Sequence, residues 1–271
     1  MKAVLLARGL GSRMKHESDA HALSPAQSAA ADAGAKGMMP IGDSRTRPFL
    51  DYVLSALADS GCTDVCFVVA PEHSAIRDYY EGAGRPTRLR VAFAVQPVAD
   101  GTAHAVLSAE HFAGQAPFLV LNSDNLYPTR VLQSLAQLDG PGLPAFERDS
   151  LVNDSGFPAE RVASFAAIEI DDDGDLVRIV EKPGRAYYDA AGPRALISMN
   201  LWRFDTAIFD ACRDVPKSVR GEYELPEAVG LAASRGVRFR TFRASGAVLD
   251  LSRRSDIGIV SERLAAVEAR P

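Results

Sequence analysis

At 271 residues, 47% of them hydrophobic and 24% charged, the chain is long enough to bury the core of one large α/β domain. Its formal net charge of −5 argues against a nonspecific nucleic-acid partner or an anionic membrane surface, so bound phosphate must be held by local cations. No apolar run approaches the roughly 18 residues of a membrane helix, and the amino terminus lacks a secretory signal, so we expect a cytoplasmic protein. The odd set of Cys62, Cys66 and Cys212 has no close CxxC pair and predicts reduced core thiols.

The amino terminus, MKAVLLARGLGSRM, joins an apolar run to a basic loop that contains glycine. Residues 3–7 have the pattern of a strand buried on both faces, as in a parallel sheet. Gly9 and Gly11 let the backbone turn and approach a ligand, while Ser12, Arg13 and the loop N–H groups can hold an anion. The loop fits neither the dinucleotide fingerprint nor the P-loop. It therefore predicts an anion site of another kind.

The next segment, residues 16–35, is rich in Ala, Ser and Asp. We expect a mobile flap there, or a short helix from about residue 25 to residue 32, that could bury little. Residues 48–57 carry apolar side chains at helical spacing, and Gly61 is placed to end that helix.

Three further strands are predicted at residues 64–70, 89–95 and 117–121. Between the last two, Thr102 is a natural N-cap for a helix that reaches about residue 112. Alternating strands and helices of these lengths indicate a parallel sheet with helices on both faces. In such sheets ligands bind at the carboxyl ends of the strands.

The second half changes character. A hairpin is predicted from its two strands and the acidic turn 171–175, which lacks the rest of a calcium-binding loop and is better explained as a solvated tip. The remaining predicted elements are strands at 195–204, 237–244 and 247–249, and helices at 207–212, 224–234 and 253–269.

Six short motifs stand out along this chain. They are the loop Leu6-Ala-Arg-Gly-Leu-Gly-Ser-Arg-Met14, Lys36 with Pro40, Gln96 with Gly101-Thr102-Ala103, Asp124, Glu181-Lys182-Pro183 and Leu249-Asp250. In this order and at this spacing they resemble the sugar-1-phosphate nucleotidyltransferases. The resemblance implies an α/β fold with a Rossmann-like, mostly parallel sheet flanked by helices and a smaller mixed accessory sheet. It implies one domain, 1–271, with a nucleotide part at about 1–128, a sugar-phosphate part at about 129–250 and a C-terminal helix at 253–269.

The resemblance also implies roles for particular residues. Arg13, Lys36 and Asp124 would be catalytic, with Arg13 on the β- and γ-phosphates and Lys36 on the α-phosphate. Asp124 and Asp250 would bind Mg²⁺, which takes only one or two protein carboxylates in such sites. The other nucleotide contacts would come from Leu6, Ala7, Gly9, Gly11, Ser12, Gln96, Gly101 and Thr102, the last three of which would read the base.

On the sugar side, Glu181 would bind sugar hydroxyls and Lys182 the sugar phosphate. Ser198 and Asn200 are the two candidates for the Asn that relatives place near the sugar, and this departure leaves the sugar open. Arg8 is a second departure, because relatives carry Ala or Gly there; its side chain adds a phosphate or base contact or points outward.

The implied activity is Mg²⁺-dependent formation of a nucleotide-sugar and pyrophosphate from a nucleoside triphosphate and a sugar 1-phosphate. UTP is the first choice, because residues 101–105 resemble the segment of uridylyltransferases, and dTTP and GTP stay open. Transfer to a non-sugar phosphate or phosphonate is one alternative, and a catalytically inactive regulatory subunit is another. The partners would be these small molecules, with no nucleic acid and no membrane, and a homo-oligomer is left open.

Overall fold

The computed structural model describes residues 1–9, 11–16, 23–42, 46–72 and 74–271. The first part of the chain forms β1 (Lys2–Leu6), α1 (Ser12–His16), α2 (Pro25–Ala33), a 3₁₀ turn (Lys36–Met38), β2 (Pro40–Ile41), β3 (Arg47–Pro48), α3 (Phe49–Asp59), β4 (Asp64–Val69), α4 (Ser74–Glu81), β5 (Arg90–Val95), α5 (Thr102–Ser108), α6 (Glu110–Ala113), β6 (Phe118–Asn122), β7 (Asn125–Leu126) and α7 (Thr129–Ala136). The second part forms β8 (Gly142–Glu147), α8 (Arg148–Asn153), α9 (Ala159–Val162), β9 (Ala166–Ile170), β10 (Leu176–Val180), α10 (Gly184–Ala191), β11 (Leu196–Ser198), β12 (Leu201–Phe204), α11 (Ala207–Asp214), α12 (Leu225–Ser234), β13 (Arg240–Ala244), β14 (Leu249–Asp250) and α13 (Arg254–Leu264).

Four parallel strands, in the order β6-β1-β4-β5, form one half of the main sheet. Their pairing places Leu6 beside Val68 on one side and beside Asn122 on the other, so these strands end at a common edge. Ala3, Val4 and Leu5 of β1 are fully buried because helices cover both faces of this half, as the uninterrupted apolar pattern indicates. The predicted parallel sheet is confirmed.

The other half continues the same sheet with mixed strands, so that the described residues contain one sheet of ten strands and two small ones. β12 is antiparallel to β6, while β8, β11, β9 and β10 extend beyond it, and β13 runs parallel to β8. The predicted hairpin is confirmed as β9 and β10. The single strand predicted at 195–204 is instead divided into β11 and β12, because Asn200 adopts a positive φ of 54°.

Two apolar cores lie on the two faces of the sheet. Leu5 belongs to the core under α3, α7 and α13, whereas Val4 belongs to the core under α5, α11 and α12. The alternation follows from the strand geometry, in which successive side chains point to opposite faces. The three cysteines are buried and free, as predicted. Among the residues described, no helix is long and apolar enough to cross a membrane.

The short helix expected from about residue 25 to residue 32 is confirmed as α2. Ser24 caps it with a reciprocal pair of hydrogen bonds, in which Ser24 Oγ accepts the N–H of Gln27 and the Gln27 side chain accepts the N–H of Ser24. Ala31 is fully buried, and Asp32 pairs with Arg254. Ala31 is the one buried side chain of this helix, which agrees with the expectation that the segment buries little. A mobile flap stays a prediction, and residues 17–22 lie outside the described part of the chain.

Candidate active site

The edge where the parallel strands end carries a polar cavity of 430 Å³, which we call the phosphate cavity. Segments from both halves of the chain contribute its walls. The site residues predicted from the sequence that line it are Gly9, Gly11, Ser12, Arg13, Lys36, Asp124, Ser198, Asn200 and Asp250. The two halves of the sheet thus bring together cations and carboxylates that are far apart in sequence.

A second cavity of 440 Å³ adjoins it. Gly9, Lys36, Asn122 and Asp124 line both cavities, so the two meet at these residues. Leu6 and Ala7, predicted nucleotide contacts, line only this second cavity, together with residues from the end of α2 and from the turn before α4.

Lys36 and Asp124 form an ion pair across the junction of the cavities, with 2.8 Å between Lys36 Nζ and Asp124 Oδ2. Each side chain is only about one-fifth exposed, at 20% and 21%. The 3₁₀ turn sets the position of Lys36, and its next residue, Gly37, is packed so closely on Leu50 that an added Cβ would lie 2.7 Å from Cδ1. The tightly packed backbone at Gly37 therefore holds Lys36 in position to pair with the carboxylate of Asp124.

The loop after β1 is positioned by the end of α2. Gly11 has a positive φ of 61°, and a Cβ there would overlap the backbone of Gly34. Glycine is therefore required at Gly11 by both conformation and space. Arg13 follows two residues later, and its exposed side chain lines the phosphate cavity. The close packing of Gly11 on Gly34 therefore fixes the backbone from which the Arg13 guanidinium reaches the cavity.

A short antiparallel ladder between β7 and β14 brings the two candidate metal ligands together. Asp250 pairs with Asn125, and the N–H of Leu251 donates to the carbonyl oxygen of Asp124 at 2.8 Å. Burial, together with the negative charge of Asp124, raises the pKa of Asp250 to about 6. Two carboxylates held this close in a half-buried site call for a positive charge between them.

Part of that charge comes from Arg161, a residue that the sequence analysis missed. Its guanidinium bridges Asp250 Oδ2 at 2.9 Å and Asp256 Oδ1 at 2.6 Å. Asp256 also accepts the N–H groups of Ser252 and Arg253 and thereby caps the start of α13. Nothing in the pattern around α9 marks Arg161, because the contact joins residues 89 positions apart.

The donor set fits a hard divalent cation. Asp124 and Asp250 offer carboxylate oxygens to one cavity, and no cluster of three or more His, Cys, Asp or Glu that could hold a metal occurs in the described residues. Mg²⁺ usually completes its coordination with water and substrate phosphates and uses one or two carboxylates, so two are enough.

The segment predicted to read the base lies apart from both cavities. Gln96 is buried, and its Nε2 donates to the carbonyl oxygen of Gly101 at 3.0 Å. We expected Thr102 to be the N-cap of α5, and this is wrong, because Gly101 holds that position. The Thr102 hydroxyl instead accepts a hydrogen bond from the N–H of Leu225 at 2.9 Å. Arg8 neither points outward nor lines the phosphate cavity, because it donates to the backbone carbonyl of Gln96.

The turn before α5 packs directly on the segment before α12. Gly101 has a φ of 97°, and a Cβ there would overlap the backbone of Tyr223. The N–H of Tyr223 donates to Asp100 O at 3.0 Å, and Ala103 N donates to Tyr223 O at 2.9 Å. The predicted base-reading turn is thus joined by backbone hydrogen bonds to a segment of the second half.

On the sugar side the predicted residues separate into two groups. Ser198 and Asn200 line the phosphate cavity, and the hydroxyl of Tyr127 holds their turn by donating to Met199 O at 2.6 Å. Glu181 and Lys182 line neither of the two cavities and are exposed at the end of β10.

Arg220 is a further charge that the sequence analysis missed. Although Glu181 is exposed as a residue, neighbouring protein atoms partly desolvate its carboxyl and raise its pKa, and the positive charge of Arg220 opposes that rise. Arg220 also pairs with Glu224 at 2.7 Å, just before α12. The segment that packs on Gly101 therefore also brings a cation to the sugar side.

The sequence profile of the Nucleotidyl transferase family matches residues 31–266. The chain is 25% identical over 269 residues to UTP--glucose-1-phosphate uridylyltransferase AglF of Haloferax volcanii, covering 97% of this chain and 96% of that protein. It is 27% identical over 243 residues to glucose-1-phosphate thymidylyltransferase of Mycolicibacterium smegmatis, covering 87% and 72%. It is 24% identical to the low-salt glycan biosynthesis nucleotidyltransferase Agl11 of H. volcanii, covering 95% of this chain and 64% of that protein.

Solved structures with the same fold include a UDP-glucose pyrophosphorylase complexed with UDP-glucose, with a TM-score of 0.72 at 19% identity and 97% coverage of both chains. Another is UDP-glucose pyrophosphorylase from Acinetobacter baumannii, with a TM-score of 0.73 at 19% identity, covering 99% of this chain and 95% of that one. These likenesses confirm the α/β fold. Because the family profile spans most of the chain, we conclude that this protein belongs to the nucleotidyl transferase family.

Proposed function

We propose that the protein forms a nucleotide-sugar and pyrophosphate from a nucleoside triphosphate, UTP by preference, and a sugar 1-phosphate. The observation that carries the proposal is the convergence of Arg13, Lys36, Asp124 and Asp250 on one cavity. Both substrates are polyanions, so the site must offset their repulsion before they can react. The uridylyl- and thymidylyltransferases among the relatives support this substrate class.

The chemistry needs no covalent enzyme intermediate. An oxygen of the sugar phosphate attacks the α-phosphorus of the triphosphate in line, a new P–O bond forms, and the bond to the β-phosphate oxygen breaks as pyrophosphate leaves. The protein contributes orientation and charge, which together supply most of the rate enhancement in phosphoryl-type transfers.

The charged residues divide this work. Arg13 and the loop N–H groups hold the terminal phosphates, while Lys36 leaves its pair with Asp124 for the α-phosphate. Asp124 and Asp250 would hold Mg²⁺, which would add positive charge to the reacting phosphates. Arg161 keeps Asp250 oriented toward the cavity through its bridge to Asp256. Lys182 and Glu181, with Arg220, receive the sugar phosphate and its hydroxyls.

The test is a pyrophosphate-release assay with Mg²⁺ across UTP, dTTP, GTP, CTP and ATP, each with several sugar 1-phosphates, a phosphoalcohol and a phosphonate. We expect turnover with at least one sugar 1-phosphate, and the highest kcat/KM with UTP. If turnover occurs only with a phosphoalcohol or a phosphonate, that compound and not a sugar 1-phosphate is the second substrate. Binding of a nucleotide-sugar without any turnover would show a regulatory subunit instead.

A further inference from the structure

Arg8 occupies an unusual place for a charged side chain, across the ends of the parallel strands. It follows β1, and its Nε donates to the carbonyl oxygen of Gln96, after β5, at 2.9 Å. Its Nη2 lies 3.4 Å from the carbonyl oxygen of Pro97. Because β4 lies between β1 and β5 in the sheet, the half-buried side chain of Arg8 spans the end of β4.

These two contacts use one edge of a rigid, planar fork of five N–H donors. The Nη1 group donates no hydrogen bond to the described residues, so its two N–H groups are available to a ligand. The anchor on Gln96 and Pro97 holds them in a fixed direction, which is what directional recognition requires.

Gln96 supplies the complementary group beside Arg8. Its side chain is 3% exposed, and Nε2 donates to Gly101 O at 3.0 Å. Since a carbonyl oxygen can only accept, this contact fixes which end of the amide is the donor and turns Oε1 the other way. Among the described residues no group donates a hydrogen bond to Oε1, so this oxygen can accept one from a ligand.

An open acceptor on Gln96 and fixed donors on Arg8, which is bonded to the backbone of Gln96, together match one type of base edge. Uracil and thymine present a ring N–H beside a carbonyl, so the N–H can donate to Gln96 Oε1 while the carbonyl accepts from Arg8. Cytosine presents the opposite pattern, with an unprotonated ring nitrogen beside an amino group. A site built from these two groups would leave Arg8 and the amino group of cytosine both donating, with no acceptor.

We propose that Arg8 is a specificity-determining residue that selects a base with a carbonyl beside a ring N–H and rejects cytosine. The proposal rests on the proposed nucleotidyl transfer and adds to it the residue that chooses the base. Leu6, the last residue of β1 and two positions before Arg8, packs on the core under α5 and would give the base an apolar floor. Arg8 then makes a contact that Ala or Gly at its position cannot make.

The test compares UTP with CTP, because uracil and cytosine are rings of the same size that differ in this hydrogen-bonding edge. We expect Arg8→Gly to lower kcat/KM for UTP about tenfold or more, because a hydrogen bond from a charged donor is lost, and to raise kcat/KM for CTP, because the contact between two donors is removed. Arg8→Lys keeps the charge without the fork and should lie between. Arg90→Gln, which removes an exposed guanidinium at the opposite end of β5, is the matched control and should leave the ratio unchanged.

Equilibrium binding of UTP and CTP to the same variants separates the outcomes from the proposed function. If the wild-type protein binds UTP more tightly than CTP, and Arg8→Gly removes the difference, the inference holds even where no turnover is found. If Arg8→Gly weakens both nucleotides equally, or only lowers the melting temperature, Arg8 is a structural tie between two loops and the inference is overturned. Absence of turnover with every nucleotide tested would refute the proposed function alone.

Discussion

The phosphate cavity and the predicted base-reading turn are built on opposite principles. Around the cavity, side chains face one another: Lys36 pairs with Asp124, and Arg161 with Asp250. At the turn, side chains are fixed by the backbone: Gln96 bonds to Gly101 O, and Arg8 to Gln96 O. A charged ligand must exchange the first set of contacts, whereas a base can add to the second without breaking it.

This difference indicates what each region can do. Ion pairs between half-buried side chains can be rearranged when phosphates and a cation bring their own charges, and this lets the same residues serve free and bound states. Contacts to the backbone preorganise donors and acceptors before a ligand arrives, and directional recognition gains from this. Substitutions should therefore affect catalysis at the cavity and selectivity at the turn.

The largest effect is expected at Asp124. Asp124→Ala removes a candidate metal ligand and the partner of Lys36, and we expect kcat to fall by about a thousandfold with the fold intact. Pyrophosphate release measures the loss, and circular dichroism checks the fold. The control is Asp64→Ala, which breaks an ion pair with the exposed Arg90 at the start of β4, at the sheet edge opposite the cavity. Its kcat should stay near that of the wild-type protein. Near-normal turnover of Asp124→Ala at low Mg²⁺ would remove Asp124 from the metal site.

Arg161 tests whether the cavity depends on buried ion pairs for stability. Its side chain is 16% exposed, and those of Asp250 and Asp256 are 10% and 9% exposed. Arg161→Met leaves both carboxylates without their cation, so we expect the free energy of unfolding to fall by about 3 kcal/mol. Chemical denaturation measures it. Arg178→Met breaks an exposed pair with Glu169 and should cost less than about 1 kcal/mol. Equal losses in the two variants would contradict a buried role for Arg161.

Substitutions of Arg13 and Lys182 test whether each cation binds a different substrate. Arg13→Ala should raise the KM for the nucleoside triphosphate about tenfold and leave that for the sugar 1-phosphate nearly unchanged, because it loses a charge-assisted contact to one anion. Lys182→Ala should show the reverse pattern. Initial-rate kinetics with each substrate varied in turn decide the matter, and an increase in the same KM from both substitutions would show that the cations share one anion.

The smallest effect concerns α2. Ser24→Ala removes the reciprocal cap, so we expect about 1 kcal/mol less local stability and faster amide exchange across Pro25–Ala33. Ser28→Ala, inside the same helix, is the control. In the wild-type protein, exchange in this segment should slow with Mg²⁺ and nucleotide but change little with sugar phosphate alone. Equal protection in all three states would mean that α2 is a permanent part of the fold.

The parallel half was predictable because its signals are local. The apolar run of β1 and the glycines that follow it appear within a few residues. In the mixed half, the hairpin of β9 and β10 was predictable for the same reason, from its acidic turn. β8 escaped prediction because Pro144, in its middle, argues against a strand that pairs on both sides. The structure accommodates Pro144 opposite Phe242 of β13.

Among the site residues, too, those with a local sequence signal were predictable and those without one were not. Motifs gave Arg13, Lys36 and Asp124, and the structure brings all three to one cavity. Arg161 and Arg220 carry no local signal, since their importance comes from partners that only tertiary structure supplies. The locked amide of Gln96 was equally invisible, because its partner is a backbone carbonyl. The domain boundaries and the roles of individual site residues stay predictions.

The contact between Gly101 and Tyr223 has a consequence for engineering. The turn that follows Gln96 and the segment that carries Arg220 share backbone hydrogen bonds and leave no room for a Cβ between them. Transplanting either loop from a relative with another substrate range would bring a surface that its neighbour was not shaped to meet. The two segments therefore form a single exchangeable unit, and a chimaera that is to accept a new nucleotide should carry both together.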